Sequence, residues 1–387
     1  MRILFVNPYY KPYLGGIERI IERLSAELLL DDRVQAVGVL TTRAHFPDRI
    51  VEEWPSREVI DGVQVFRCSF KPATFRHVFH AAMAGYVSAD VWRVLREFEP
   101  DVIHFTYSEW WSANLLTYLA SRGTPHVLST FFHELPVNWS TRPLFAVNRW
   151  LVRRIDAIHV LSEAEKGQVS RAYGARPDRF EIIPPGVEVP ATLPDRPDSG
   201  VVTILAVGRL IGSKGQLRLV HIVRKLLEQS PELRVRLWLA GEDAGDGEEI
   251  LQTVREARLD SVVELLGRVS DERLPELYRQ ADIFALPTRV ESFGLVFVEA
   301  MAYGAPVVAY AVGPVPTILT EGAILVPPGD EDAFGEALRS LILDSARRRQ
   351  LGIEGYGMVL ERYSWKRMAQ AFMDMYNGIL CRAPATS

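Results

Sequence analysis

The chain has 387 residues, too many for one ordinary core and suited to two domains. Its 44 basic and 49 acidic residues leave a mixed formal charge of −5, which indicates no nucleic-acid partner. Two cysteines, Cys68 and Cys381, are too few and too far apart for a disulfide framework and favour a reducing, cytoplasmic setting.

The first residues offer one basic side chain and a short apolar run before Asn7-Pro8, which is not a secretory signal pattern. Arg2 to Val6 reads as a strand, and a helix is expected from about Ile17 to Leu30. The glycine pair Gly15-Gly16 between them is either a tight turn or a phosphate-cradling loop. It lacks the G-x-G-x-x-G spacing of a dinucleotide fingerprint. The second strand, Val34 to Leu40, runs into Thr41-Thr42-Arg43 rather than the acid that would hold an NAD ribose. Glu58 to Phe66 predicts a hairpin turning at Asp61-Gly62. A helical region from Phe75 to Phe98 precedes a strand at Asp101 to Phe105. A helix from Trp110 to Ser121 precedes another strand at Pro125 to Phe131. His133 then stands beyond a strand end, where parallel sheets collect their ligands. A further strand is expected at Ala157 to Leu161.

Two stretches of this half place basic residues beside apolar ones without any acid. The first has Lys71, Arg76, His77 and His80 around Phe75, Val78, Phe79, Ala82 and Met83. The second has Arg149, Arg153 and Arg154 with Leu144, Phe145, Trp150 and Leu151. Such faces suit weak peripheral contact with an anionic membrane; two ordinary helices packed on a sheet are the competing reading.

Residues 186–200, rich in proline, glycine and charge, read as a linker between domain 1–185 and domain 201–362. A strand at Val201 to Val207 leads into the loop Gly208 to Gly215 and a helix from Gln216 to Glu228. Arg209 and Lys214 stand at the mouth of that strand. Further strands are expected at Arg234 to Ala240 and Val262 to Leu266, the latter followed by Arg268 and Val269. Asp330-Glu331-Asp332 matches a metal-holding D-x-D, but capping and first-turn acids explain it, and no metal is expected. Residues 363–387 close the chain with an amphipathic helix.

The most informative stretch is Ala285 to Gly313. A buried strand, Asp282 to Pro287, gives way to a polar loop, and Phe293-Gly294 open a helix apolar on every face except for Glu299. That helix is expected to be buried, and its carboxylate to need a partner. The free N–H groups of Phe293, Gly294 and Leu295 make an anion site flanked by Glu291 and Glu299. A phosphate between carboxylates that accept hydroxyls describes a nucleotide-sugar. Glu291 as a helix-dipole partner and Glu299 paired with an arginine is the alternative.

Glu291-x7-Glu299 within ESFGLVFVEAMAYGAPVVA resembles the signature of the retaining glycosyltransferases of family four. The match extends through GGIER and GRL…KG over nearly the whole chain. The resemblance implies an α/β, GT-B fold: two Rossmann-like domains with parallel sheets facing across a cleft, the last helix crossing back to the N-terminal, acceptor-side domain. It implies that Glu291 holds the donor sugar's hydroxyls, Glu299 the ribose, and the amides after Glu291 the diphosphate. Arg209 and Lys214 would hold the same diphosphate, Gly16 would lie against it, His133 would touch the donor sugar, and Arg268 and Val269 would border the base. Pro314-Val-Pro-Thr317 departs from the pattern, many relatives having a Glu at Thr317.

The implied reaction is metal-independent transfer, with retention, from a UDP- or GDP-linked sugar, without a cofactor, to a glycan, lipid-linked or small-molecule hydroxyl. The leaving phosphate would help deprotonate the acceptor on one face. Two other readings remain. A GT-B phosphorylase or epimerase would release a sugar phosphate from inorganic phosphate or need no acceptor. A non-catalytic sugar-nucleotide-binding protein would show neither transfer nor slow hydrolysis.

Overall fold

The computed structural model describes residues 1–12, 16–45, 49–50, 54–68, 84–106, 111–121, 123–130, 142–196, 200–291 and 293–382. The chain divides into two compact units, Met1–Gly186 with Trp365–Ser387, and Val187–Ser364.

The first unit begins with β1 (Arg2–Val6), α1 (Gly16–Leu28), β2 (Ala36–Thr42) and a small antiparallel ribbon, β3 (Ala44–His45) and β4 (Arg49–Ile50). The hairpin β5 (Arg57–Ile60) and β6 (Val63–Cys68) follows. Its turn needs positive φ at two successive residues, and Asp61 (φ 50°) and Gly62 (φ 81°) supply it. Next come α2 (Ala84–Phe98), β7 (Val102–Phe105), α3 (Trp111–Ala120), β8 (His126–Ser129), α4 (Arg142–Val152), β9 (Ala157–Val160), α5 (Glu163–Tyr173) and β10 (Phe180–Ile182). The sheet order is β10-β9-β8-β7-β1-β2-β6-β5, parallel except at the β5 edge. Alternation along β1 sends Leu4 and Val6 to one face with Phe98, Leu151 and Val169, and Ile3 and Phe5 to the other with Ile21 and Leu24. Both faces are covered, so the strands read as continuous apolar runs.

The second basic stretch is only partly a surface. Leu151 lies in the core, 2% exposed, and Arg153 Nε donates to the Tyr173 carbonyl (3.3 Å). Trp150 stays partly exposed, with the Arg154 guanidinium over its ring at 4.1 Å. Leu151 points inward because α4 needs an apolar stripe to dock on the sheet. The first stretch, residues 71–83, lies outside the described residues, as does His133. Among the described residues no helix is long and apolar enough to cross a membrane.

The second unit runs β11 (Val202–Val207), α6 (Gln216–Gln229), β12 (Val235–Ala240), α7 (Gly247–Glu256), β13 (Val263–Gly267), α8 (Leu274–Gln280) and β14 (Ile283–Leu286). It continues with α9 (Leu295–Ala302), β15 (Val307–Tyr310), α10 (Val315–Ile318), β16 (Ala323–Val326), α11 (Glu331–Leu343) and α12 (Ser345–Arg362). Its sheet is parallel throughout, in the order β13-β12-β11-β14-β15-β16. The chain leaves β11 toward β12 on one side and resumes at β14 on the other. The carboxyl ends of β11 and β14 are therefore a topological switch point, where open α/β sheets bind their ligands.

The last helix, α13 (Trp365–Arg382), belongs to the first unit. Met368, Phe372, Tyr376 and Ile379 pack with α1 against the Ile3–Phe5 face. A buried polar chain fixes it there. His159 Nε2 meets the Ile183 carbonyl (2.7 Å), which only accepts, so His159 Nδ1 must accept from the Ser129 hydroxyl (2.7 Å). Ser129 Oγ then accepts from His104 Nε2 (2.7 Å), leaving His104 Nδ1 to accept from the Tyr376 hydroxyl (2.7 Å).

Burial keeps these imidazoles neutral. His104 and His159 lie below their usual pKa, and His126, buried beside Phe105, is pushed down to about 4. A histidine depressed on folding leaves stability intact above its unfolded pKa and removes it as pH falls toward the folded value. Acidification between pH 6.5 and pH 4 is thus expected to cost about 1.4 kcal/mol per pH unit from His126. His104 and His159 act in the same direction. A pH series of thermal midpoints checks this; a midpoint flat over that window would mean that the rings protonate without penalty.

Candidate functional site

Two loops meet at the switch point, and close backbone contact dictates much of their sequence. Gly208 follows β11 with φ 151°, and Gly215 ends the loop with φ 84°. A Cβ at Gly215 would collide with the Pro287 carbonyl oxygen, so only glycine lets the loops touch. The fully buried Gln216 donates through Nε2 to the carbonyls of Gly208 (2.8 Å) and Arg209 (3.1 Å), fixing the loop from beneath. From the other side, the Arg289 N–H donates to the Ser213 carbonyl (2.8 Å). Thr288 Oγ1 stands 3.1 Å from the same oxygen, and Arg218 Nη1 donates to the Pro287 carbonyl (3.0 Å).

The latch brings two charged side chains of the sequence reading together. Lys214 Nζ lies 2.8 Å from Glu291 Oε2, with the Glu291 side chain only 9% exposed. Arg209 is exposed and makes no ion pair with a described residue. Gly294 takes the left-handed cap of α9 (φ 91°), where a Cβ would strike the Phe297 ring. The N–H groups of Phe293, Gly294 and Leu295 find no acceptor among the described residues, as first-turn amides of a helix commonly do. Ser292 lies outside the described residues.

The expectation that α9 is buried all round needs correction. Leu295 is 36% exposed and Glu299, one turn on, is half-buried, so both lie along an accessible stripe. An apolar helix can line a ligand site as readily as a core, and its composition does not distinguish the two. Glu299 Oε2 accepts from the Tyr278 hydroxyl at 2.7 Å. Burial, and then the nearby carboxylate, raise the Tyr278 phenol well above its usual range, so it remains a hydrogen-bond donor at neutral pH.

Arg268 and Val269 follow β13 at the same end of this sheet, with β12 between them and β11. Gly16 opens α1 in the first unit, where Glu18 Oε1 accepts from Asn7 Nδ2 (2.9 Å) and ties the helix start to the loop after β1. The departing loop is anchored locally. Thr317 Oγ1 donates to the Pro314 carbonyl (2.7 Å), and the Tyr363 hydroxyl donates to that of Ile318 (3.2 Å). Asp330 caps α11 by accepting from the Ala333 N–H (2.9 Å), while Asp332 pairs with Lys225 and Glu331 with Arg218.

Sequence reasoning passed over Gln216, Tyr278 and Arg196. Arg196 falls in the stretch read as a linker, yet this segment is fastened to the second unit. The Val187 N–H donates to the Tyr363 carbonyl (2.7 Å), and the Tyr356 hydroxyl to that of Pro190 (2.7 Å). Arg196 donates to the carbonyls of Gly304 (2.7 Å), Tyr303 (2.7 Å) and Tyr278 (3.2 Å). Its only sequence signal was an arginine among prolines.

Residues 15–186 match the model of a glycosyl transferase 4-like domain, and residues 195–358 that of glycosyl transferases group 1. The chain is 30% identical to a D-inositol 3-phosphate glycosyltransferase of Nocardioides sp., over 83% of this chain and 78% of that protein. It is 33% identical to one of Corynebacterium kroppenstedtii over 60% of this chain; that match spans 56% of the relative's own length. Among solved structures it resembles Anabaena Alr3699/HepE, determined in complex with UDP and glucose, with a TM-score of 0.68 and 21% identity, covering 98% of this chain and all of that one. With a largely parallel sheet in each unit and its E-x7-E motif at a switch point, the chain belongs to glycosyltransferase family four, of the GT-B fold.

Proposed function

We propose that the second unit binds a nucleotide diphosphate sugar and that the chain transfers its glycosyl group, with retention, to a hydroxyl acceptor. The observation that carries this reading is the switch-point constellation: Lys214 on Glu291, three amides opening α9 that no described residue fills, and Glu299 one turn further on. The amides, with Arg209 and Lys214, would take the diphosphate and stabilise charge as it leaves. Glu291 would accept hydroxyls of the sugar, and Glu299, oriented by Tyr278, those of the ribose. Arg268 and Val269 would border the base. The leaving phosphate would serve as the base for the acceptor, as in the family reading.

The UDP and glucose of the Anabaena protein favour a UDP-linked donor, and the names of the curated relatives make an inositol phosphate the first acceptor to try. A thermal-shift screen of UDP-, GDP-, ADP- and CDP-sugars, followed by transfer assays with and without inositol phosphate, tests both.

The paired carboxylates make a sharper expectation. Glu299→Ala should weaken the whole nucleotide, free diphosphate included, by about 1.5–3 kcal/mol, the scale of hydrogen bonds to a charged group. Glu291→Ala should cost the sugar-bearing donor a similar amount and spare the free nucleotide. Calorimetry that found donor affinity unchanged in both variants would overturn the assignment.

A further inference from the structure

We propose that Arg196 is a positioning residue for the donor site: its guanidinium ties the end of α9 to Tyr278, and through Tyr278 it holds the Glu299 carboxylate in place. This rests on the reading of Glu299 as a donor ligand.

The geometry is a short chain of contacts. Arg196 Nη1 donates to the Gly304 carbonyl and Nη2 to that of Tyr303, both at 2.7 Å, just beyond the last turn of α9. Nη2 also reaches the Tyr278 carbonyl of α8 at 3.2 Å. Tyr278 therefore has two roles: its backbone is held by Arg196, and its hydroxyl holds Glu299 Oε2 at 2.7 Å. The rings of Tyr278 and Tyr303 stack 5.9 Å apart at 20°, so the two residues that share Arg196 Nη2 are also joined through their side chains.

Neither helix could arrange this alone. α8 has seven residues and α9 eight, too short to be stable without tertiary support. Their terminal carbonyls need donors, and a cation at a helix carboxyl end also meets the dipole favourably. One planar fork serves three carbonyls from two helices at once; a lysine, as a point donor, cannot. Burial lowers the Arg196 guanidinium to about 10, with Asp282 opposing the shift, so it stays charged at neutral pH.

Gly304 shows how tight the contact is. With φ 75° it faces Leu193, whose side chain a Cβ would overlap. Leu193 and Arg196 thus both bear on the end of α9 from the segment that carries the chain out of the first unit. A capping arginine would stabilise one helix; this one sets the distance between the helix bearing the carboxylate and the helix bearing its hydroxyl partner.

The test is a double-mutant cycle on the full chain, titrating UDP and GDP by calorimetry and measuring kcat and KM with the preferred donor. Arg196→Met keeps the aliphatic stem and should weaken nucleotide binding roughly tenfold, as loss of an outer-shell partner does. It should raise the donor KM and leave kcat within about twofold, because the lost interaction serves ground and transition states alike. Arg196→Lys should recover only part of the loss. Tyr278→Phe should act in the same direction, and the double variant should be no worse than the larger single effect.

Independent, multiplying losses would overturn the proposal, as would a lowered melting midpoint with unchanged affinity. If Arg196→Met failed to fold, Arg196→Lys would carry the cycle. Glu299→Ala, run alongside, separates the two ideas: unchanged binding there sinks the donor reading. If the wild-type chain bound neither nucleotide, hydrogen exchange of the free chain would decide the linkage. Arg196→Met should speed exchange locally at residues 295–304, and no local rise would refute it.

Discussion

Replacing both Arg209 and Lys214 by alanine should lower turnover roughly several hundred-fold or more, the scale of removing preformed electrostatic stabilisers. The two singles should separate by their surroundings. Lys214→Ala also strands Glu291, whose side chain is 9% exposed and has its ammonium partner 2.8 Å away, so it should lower the melting midpoint as well as the rate. Arg209 is exposed and without an ion-pair partner among the described residues, so its removal should spare stability and strike the reaction alone. If these cations carry the leaving charge, activity should also survive excess chelator. An enzyme silenced by chelation and restored by magnesium or manganese would refute that role.

The second large effect belongs to Gly215→Ala. Its φ of 84° and the Pro287 carbonyl against it combine backbone strain with a collision, expected to cost about 2–4 kcal/mol of stability. The damage should reach function, because the displaced contact is the one that latches residues 208–215 to residues 287–291. Gly357→Ala is the control. It lies in α12 with nothing near its missing Cβ, and should stabilise by about 0.5–1 kcal/mol. Urea titrations of both variants make the comparison. Equal stability for Gly215→Ala and wild type would show that the loops part without cost.

The sequence revealed what local chemistry encodes. Asp61-Gly62 announced a hairpin because few residue pairs tolerate positive φ twice. Arg209, Lys214, Glu291 and Glu299 were readable from spacing and a family pattern, and the structure places them at the ends of β11 and β14 or on α9. Long-range partner choice was not readable. Nothing in Tyr278 states that its hydroxyl meets a carboxylate 21 residues on, and nothing in Arg196 that it serves carbonyls some 82 to 108 residues away. The strand β10 escaped notice because three residues, Phe180-Glu-Ile182, hold no period to detect. Leu151 is buried, as the reading of an ordinary helix packed on the sheet has it; the sequence left both readings open because basic neighbours along a helix say little about which stripe docks.

The return of α13 to the first unit has a consequence for biosynthesis. Until residues 365–382 leave the ribosome, the Ile3–Phe5 face of the first sheet lacks Met368, Phe372 and Tyr376, and the His104–Ser129–His159 chain lacks its terminal hydroxyl. The second unit, contiguous in sequence, can close first, while the earlier-made half waits with apolar surface exposed. A ribosome stalled before Trp365 would therefore release one finished unit joined to an adhesive one, and that species is what chaperones and proteases would have to clear.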